Sequence, residues 1–153
     1  YNTLLNLSRN LFFYTDIKLK DSYETRIYLM FFHFALILII FKNKKIIFPQ
    51  SQYDDLFFCI ENNLRELGFG DVSVNKKMKE LNKILYDILL KLNLDKNDQF
   101  KINLDLLRKY FTSINSSESK KLAEFAGYFS NFFDFCFELP IDSMIEDAIK
   151  FKY

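Results

Sequence analysis

The side chains with the most reactive chemistry are few: one histidine, His33, and two cysteines, Cys59 and Cys136. A zinc site needs several such ligands at short, regular spacing, and neither cysteine has a CxxC partner or a neighbouring His. Both fall inside apolar helical patterns and are expected as buried thiols suited to a reducing compartment. No metal site is expected. His33 has the chemistry of an axial haem ligand. It lies in an apolar stretch without a second axial candidate, so the simpler expectation is a core histidine bonded to backbone or to another side chain. The hydrolytic patterns GxSxG and HExxH do not occur. Asp54 and Asp55 are adjacent carboxylates, but they fall on a helix flank and read as solvated. The chain reads as a non-enzyme without a cofactor.

Glycine is scarce, with three in the chain, and two of them lie in Leu64–Asp71, LRELGFGD. Gly68 reads as a left-handed helix stop and Gly70 as the residue permitting a tight reversal. This is no phosphate loop, because the GxxxxGK[ST] spacing and a preceding strand are both missing. Charges crowd the turn: Arg65, Glu66 and Asp71, with Lys76 and Lys77 one turn on. The functional reading is a polar recognition patch on a fixed loop; the plainer one is a solvated connector between two helices. Arg26 is a second odd charge. It lies near a helix start, where the dipole disfavours a cation, so a partner from another element, Glu66 or Asp71, is expected.

These residues need elements to hold them, and the chain supplies helices throughout. It has 153 residues, a net charge of +1, 50% apolar and 27% charged residues, with 19 Phe and 9 Tyr. That composition excludes disorder, and the charge balance argues against a nucleic-acid partner. One domain is expected. A short helix is predicted over Asn2–Phe13, then a long one over Tyr23–Phe41 opened by an Asp21/Glu24 capping pair. Its segment Ile27–Phe41 has no charged residue, spans about 22 Å against a hydrocarbon core of about 30 Å, and holds His33. Those features favour a buried core helix over a membrane span, while Arg26, Lys42, Lys44 and Lys45 bracket it and suit a membrane surface.

Further on, Tyr53, Leu56, Phe57, Ile60, Leu64 and Leu67 form one helical stripe ending at Gly68. Ser73 is expected to cap a helix whose seam is Val74, Met78, Leu81, Leu85, Ile88 and Leu92. Its opposite face carries Lys76, Lys79, Glu80, Lys83 and Asp87. Asn93–Gln99 reads as a linker. A helix around Asn103–Thr112 follows, then one opened by Ser116/Ser117 with the stripe Leu122, Phe125, Phe129, Phe132 and Cys136. Beyond Pro140, Asp142 or Ser143 caps a last short helix. Ala123, Ala126 and Gly127 offer a small-residue face for close packing. The expected fold is all-α: a compact, bundle-like domain of about six to seven helices around one long buried central helix.

From Tyr1 to about Leu92 the chain resembles the ubiquinol–cytochrome c chaperone family of alphaproteobacteria and mitochondria. The resemblance is carried by YNTLLNLSRNLFFYTD (Tyr1–Asp16), DSYETR (Asp21–Arg26), FFHFAL (Phe31–Leu36) and LRELGFGDVSVNKKMK (Leu64–Lys79). Tyr1, Arg9, Phe13, Tyr14, Asp21, Arg26 and His33 fall in register with the family pattern. So do Arg65, Glu66, Gly68, Gly70, Asp71 and Lys76 or Lys77. Thr25 stands where the family usually has Gly, Phe69 replaces the common Val, and the Gly that normally follows the aromatic is missing after Tyr86.

The resemblance implies a family core over residues 1–92; beyond it the residues themselves read as a linker over 93–99 and C-terminal helices over 100–153 packed on the same domain. It implies a non-enzymatic assembly chaperone for newly made cytochrome b in ubiquinol–cytochrome c reductase (respiratory complex III). A small helical co-chaperone and contact with a membrane surface go with it. The implied location is the cytoplasmic side of a bacterial inner membrane, or the mitochondrial matrix. Arg65, Glu66, Gly68, Gly70 and Asp71 become the expected client-facing patch, joined by Arg26 and by Lys76 and Lys77 on the basic helix face. A haem or small-ligand carrier using His33, and a structural subunit of a membrane complex, are the alternative readings.

Overall fold

The computed structural model describes residues 1–92, 102–114 and 117–153, so the expected 93–99 linker and Ser116 lie outside the described residues. Among the described residues there are eight α-helices, a 3-10 turn and no strand: α1 (Asn2–Ser8), α2 (Leu11–Thr15), α3 (Tyr23–Asn43), α4 (Gln50–Glu66), α5 (Asp71–Leu92), α6 (Leu104–Tyr110), α7 (Ser119–Phe137) and α8 (Met144–Asp147), running into Ala148–Lys150. The all-α fold is as expected, with two refinements at the ends. The first expected helix is two: the chain breaks at Arg9, and the Asn10 side chain accepts a hydrogen bond from the Phe12 amide to open α2. The last is a single turn continued by the 3-10 segment.

The central helix is α3. Every residue from Leu29 to Ile37 is buried, so no face of that stretch meets solvent. A helix apolar all round must be enclosed by others, and α1, α5 and α7 pack on it. Its 21 residues have the length and hydropathy to cross a membrane, but most of that surface is covered by the protein's own helices. The cap that opens it is Ser22, whose hydroxyl accepts from the Thr25 amide, and not the expected Asp21.

The α4 and α5 stripes run as the spacing predicts, except that Leu67, expected to close the α4 stripe, is exposed where the helix ends. Leu56, Phe57, Ile60 and Leu64 are buried on α4, and Val74, Leu81, Leu85, Ile88 and Leu92 on α5, with Met78 half-buried. Helix α5 starts at Asp71, two residues before Ser73, so Ser73 lies in its first turn and is not its cap. On α7, Leu122, Phe125, Phe129, Phe132 and Cys136 are buried together with Tyr128. Cys59 is only half-buried, unlike the expectation.

Aromatic rings fill the interior between α2, α3 and α7. Phe13, Phe32, Phe125, Phe129 and Phe132 are fully enclosed, and their rings meet edge-on or stacked, as at Phe32–Phe129 (centroids 5.3 Å) and Phe13–Phe125 (5.8 Å). Each such side chain contributes about 1.5–3 kcal/mol by leaving water. The buried apolar residues form one cluster running from Leu4 to Phe151. At Gly127 the close approach comes from the C-terminal Tyr153, whose hydroxyl lies 3.3 Å from where a Cβ would sit, so the small residue admits the tail and not another helix.

Asp87, on the charged face of α5, does not face open solvent: its carboxylate accepts from Lys91 (3.0 Å), Lys109 (2.8 Å) and the Tyr110 hydroxyl. Burial raises the affinity of this carboxyl for a proton, but those donors outweigh it and hold it below the usual carboxylate range. The cluster anchors α6 to α5, across the segment outside the described residues.

Candidate docking surface

Two consecutive helices meet at the charged turn, and local backbone chemistry fixes its shape. Helix α4 ends in a Schellman motif: the Gly68 amide donates to Arg65 O (3.0 Å) and the Phe69 amide to Leu64 O (3.2 Å). Gly68 has φ +97°, a conformation that a side chain strains, so glycine is required there. Gly70 is different. Its φ lies outside the left-handed region and a Cβ there meets nothing, so the reversal does not depend on it. Its carbonyl accepts from the Val74 amide and starts α5.

Arg65 spans the turn. Its guanidinium donates to Asp71 on the far side and to Glu61 one turn back on α4 (3.1 Å), and those carboxylates raise its already high pKa. The pairing welds the end of α4 to the start of α5. Glu66 is exposed beside it. Arg26 does not reach Glu66 or Asp71, the partners the sequence led us to expect. It pairs instead with Asp21, just outside its own helix, with its Nε and Nη2 both donating to one carboxylate oxygen (3.0 and 2.6 Å). An acid preceding the helix thus offsets the unfavourable position of the cation. Lys77 lies 3.9 Å from Glu24 at the start of α3, and Lys76 is exposed. Arg65, Glu66, Gly68, Gly70 and Asp71 therefore share one turn, Lys77 faces α3, and Arg26 sits at the side.

What the charges surround is apolar. Leu67, Phe69 and Val72 are all exposed on the turn, an unusual concentration for such short chain length. Leu67 and Phe69 form one lip of a groove of about 460 Å³, whose floor is Ile27, Leu64, Leu81 and Ile84 and whose rim carries Glu24, Lys77 and Glu80. A second depression, lined by Leu5, Met30, Asn63, Glu66 and Arg26, shares Tyr23, Ile27 and Leu67 with the first. Tyr23 stands between them. Its hydroxyl is buried without a hydrogen-bond partner, and burial pushes its pKa up to about 12. Sequence reasoning pointed to the charges and missed this apolar ground. Leu67 at the end of the stripe, and Phe69 and Val72 just past it among charges, were the signal for it.

His33 lies elsewhere, fully buried on α3. Its Nδ1 bonds Leu29 O (2.6 Å) and its Nε2 the Tyr128 hydroxyl (2.8 Å). The first contact requires Nδ1–H, so Nε2 accepts from Tyr128 and the ring is neutral. Desolvation lowers its pKa to about 4, against a smaller opposing effect of the Leu29 bond. Both nitrogens are committed to the fold, so the haem reading fails at its one ligand. Among the described residues, no three His, Cys, Asp or Glu side chains gather as a metal site.

Among the described residues the arrangement is all-helical, with an exposed apolar groove beside fixed charges. The sequence extends that description: the profile of the ubiquinol-cytochrome C chaperone family matches residues 15–151, and the chain belongs to that family. The match runs through the C-terminal helices, where the motifs by themselves carried no resemblance. No curated protein and no solved structure matches the chain.

Proposed function

We propose that this protein is an assembly chaperone that holds newly made cytochrome b and promotes its entry into ubiquinol–cytochrome c reductase, without catalysing a reaction. The observation that carries this reading is the coincidence of the family match with the turn at Leu64–Asp71, where exposed Leu67, Phe69 and Val72 adjoin a groove. A newly made membrane protein presents apolar helices in need of cover. Such helices dock by anchors at i, i+3, i+4 and i+7, for which an apolar floor with a charged rim is the complement. The charges around it, Glu24, Lys77 and Glu80 on the rim with Arg65, Glu66 and Asp71 on the adjoining turn, set orientation and exclude wrong partners more than they add affinity.

The place of action is the cytoplasmic side of a bacterial inner membrane, or the matrix side in a mitochondrion, with a small helical co-chaperone as second partner. Crosslinking during cytochrome b synthesis tests the reading. The expected result is an adduct with nascent cytochrome b, and the protein missing from the mature reductase. Normal reductase assembly in its absence, with no adduct, overturns the proposal. Stoichiometric retention in the mature complex makes it a structural subunit instead.

A further inference from the structure

The opposite end of α3, about 24 Å along the helix from Ile27 in the groove floor, carries a second surface that the Leu64–Asp71 turn does not use. There the chain leaves α3 through Lys44, Lys45, Ile46 and Ile47 before Phe48. Ile47 is 94% exposed, the most exposed large apolar residue among those described, and Ile46 beside it is exposed too. The loop is no loose end. Phe48 roots it, with its ring 5.1 Å from Phe41 and 5.4 Å from Phe34. The Ile46 amide donates to Phe41 O (2.9 Å) and the Lys45 amide to Lys42 O (3.0 Å), which is a second Schellman ending.

In that ending Lys45 occupies the left-handed position, at φ +57°, which glycine takes at Gly68. A side chain there is strained, yet a basic residue holds it. Lys44 turns the other way. Its ammonium donates to Phe137 O (2.6 Å) and lies 4.9 Å over the Phe137 ring, which brings the exposed end of α7 alongside. From Phe41 to Tyr53 the only charged residues are Lys42, Lys44 and Lys45; the acid nearest in sequence to Phe137 is the exposed Glu138.

We propose that this tip is a lipid-surface contact: Ile47 and Ile46 dip into the interface of an anionic membrane while Lys42 and Lys45 meet its phosphates. Exposed apolar residues in a backbone fixed by its helix-end hydrogen bonds, next to the exposed Lys42 and Lys45, match the two attractions that draw a protein onto such a surface, apolar burial and charge. The proposal rests on the tip alone and stands whether or not the groove holds cytochrome b.

Flotation of the full chain with phosphatidylcholine vesicles, with and without phosphatidylglycerol, tests it. The chain has no Trp, so Ile47→Trp supplies a single reporter. The expected results are flotation with the phosphatidylglycerol vesicles only, weakened by salt, and a blue shift of the Ile47→Trp emission on them. Lys45→Gly, which relieves the strained backbone, should lower partitioning about fivefold through loss of one charge. Ile47→Ser should lower it about tenfold. Leu90→Ser, which alters an exposed apolar residue elsewhere, should leave it unchanged. Equal flotation with neutral vesicles, no flotation at all, an unshifted Trp, or tip variants that bind like the parent overturns the proposal. A crosslink from this loop to a protein, without lipid binding, identifies the tip as a protein contact.

Discussion

The Tyr128 hydroxyl donates to Nε2 of His33 across 2.8 Å, joining α7 to α3 over 95 positions of sequence. It is the polar link inside an otherwise aromatic interior, where Phe13, Phe129 and Phe132 present ring edges to the imidazole. With the Leu29 carbonyl on the other nitrogen, the ring is neutral and fully satisfied.

That geometry makes stability depend on pH. The folded-state pKa of His33, about 4, is below its ordinary 6.5, so the unfolded chain takes the proton first. The stabilisation is therefore complete above pH 6.5 and is lost as pH falls towards 4. Between pH 7 and pH 5 the expected loss is about 2 kcal/mol. Asp87 and Asp147, also shifted down, lose their contributions only below the carboxylate range, so this interval isolates His33. Urea unfolding at the two pH values measures it, and His33→Gln should flatten the difference. In the parent chain at pH 7, Tyr128→Phe should cost about 1–3 kcal/mol by leaving Nε2 buried and unpaired.

The two glycines of the turn should respond in opposite ways. Gly68→Ala forces a Cβ into the left-handed region and should cost about 1–2 kcal/mol. Gly70→Ser, with open space for the side chain at a helix start, should be neutral or slightly stabilising. Thermal melts of the two variants decide this. Equal losses would show that the reversal needs both.

Lys45 provides the converse test of backbone strain. Replacing it with glycine should raise stability by about 1 kcal/mol, because the position already has φ +57°. A gain in melting temperature combined with weaker vesicle binding separates the two roles of that residue. A loss in melting temperature would mean that the lysine side chain stabilises the helix end more than its backbone strains it.

Asp87 should behave as an anchor and not as a surface charge. Asp87→Ala is expected to cost about 1–2 kcal/mol, chiefly through the half-buried Tyr110 hydroxyl left without its acceptor. A double-mutant cycle with Tyr110→Phe should show a coupling of about 1 kcal/mol. Additive losses would remove Asp87 from the α5–α6 junction.

Much of this fold was legible because helices of this length declare themselves by period. The α4, α5 and α7 stripes were read correctly from Leu56, Leu81 or Phe129 and their neighbours. Capping was less legible. Asp21, Ser22 and Ser73 all have cap chemistry, and only tertiary geometry decides which serves; Asp21 went to Arg26 instead. Long-range polar pairs left still less trace. Nothing in the spacing of Asp87, Lys109 and Tyr110, or of His33 and Tyr128, announces that they meet. At the Leu64–Asp71 turn the charges were visible from sequence, but the groove beside them needs residues from α3, α4 and α5 at once, such as Ile27, Leu64 and Leu81.

The most direct test of the proposed function is photo-crosslinking from single positions while cytochrome b is being made. A photoreactive residue at Phe69 or Val72 should give a cytochrome b adduct, whereas one at Leu90, about 27 Å along α5 from Val72, should not. A cytochrome b adduct from Leu90 as strong as that from Val72, or none from the turn, would contradict docking at this groove.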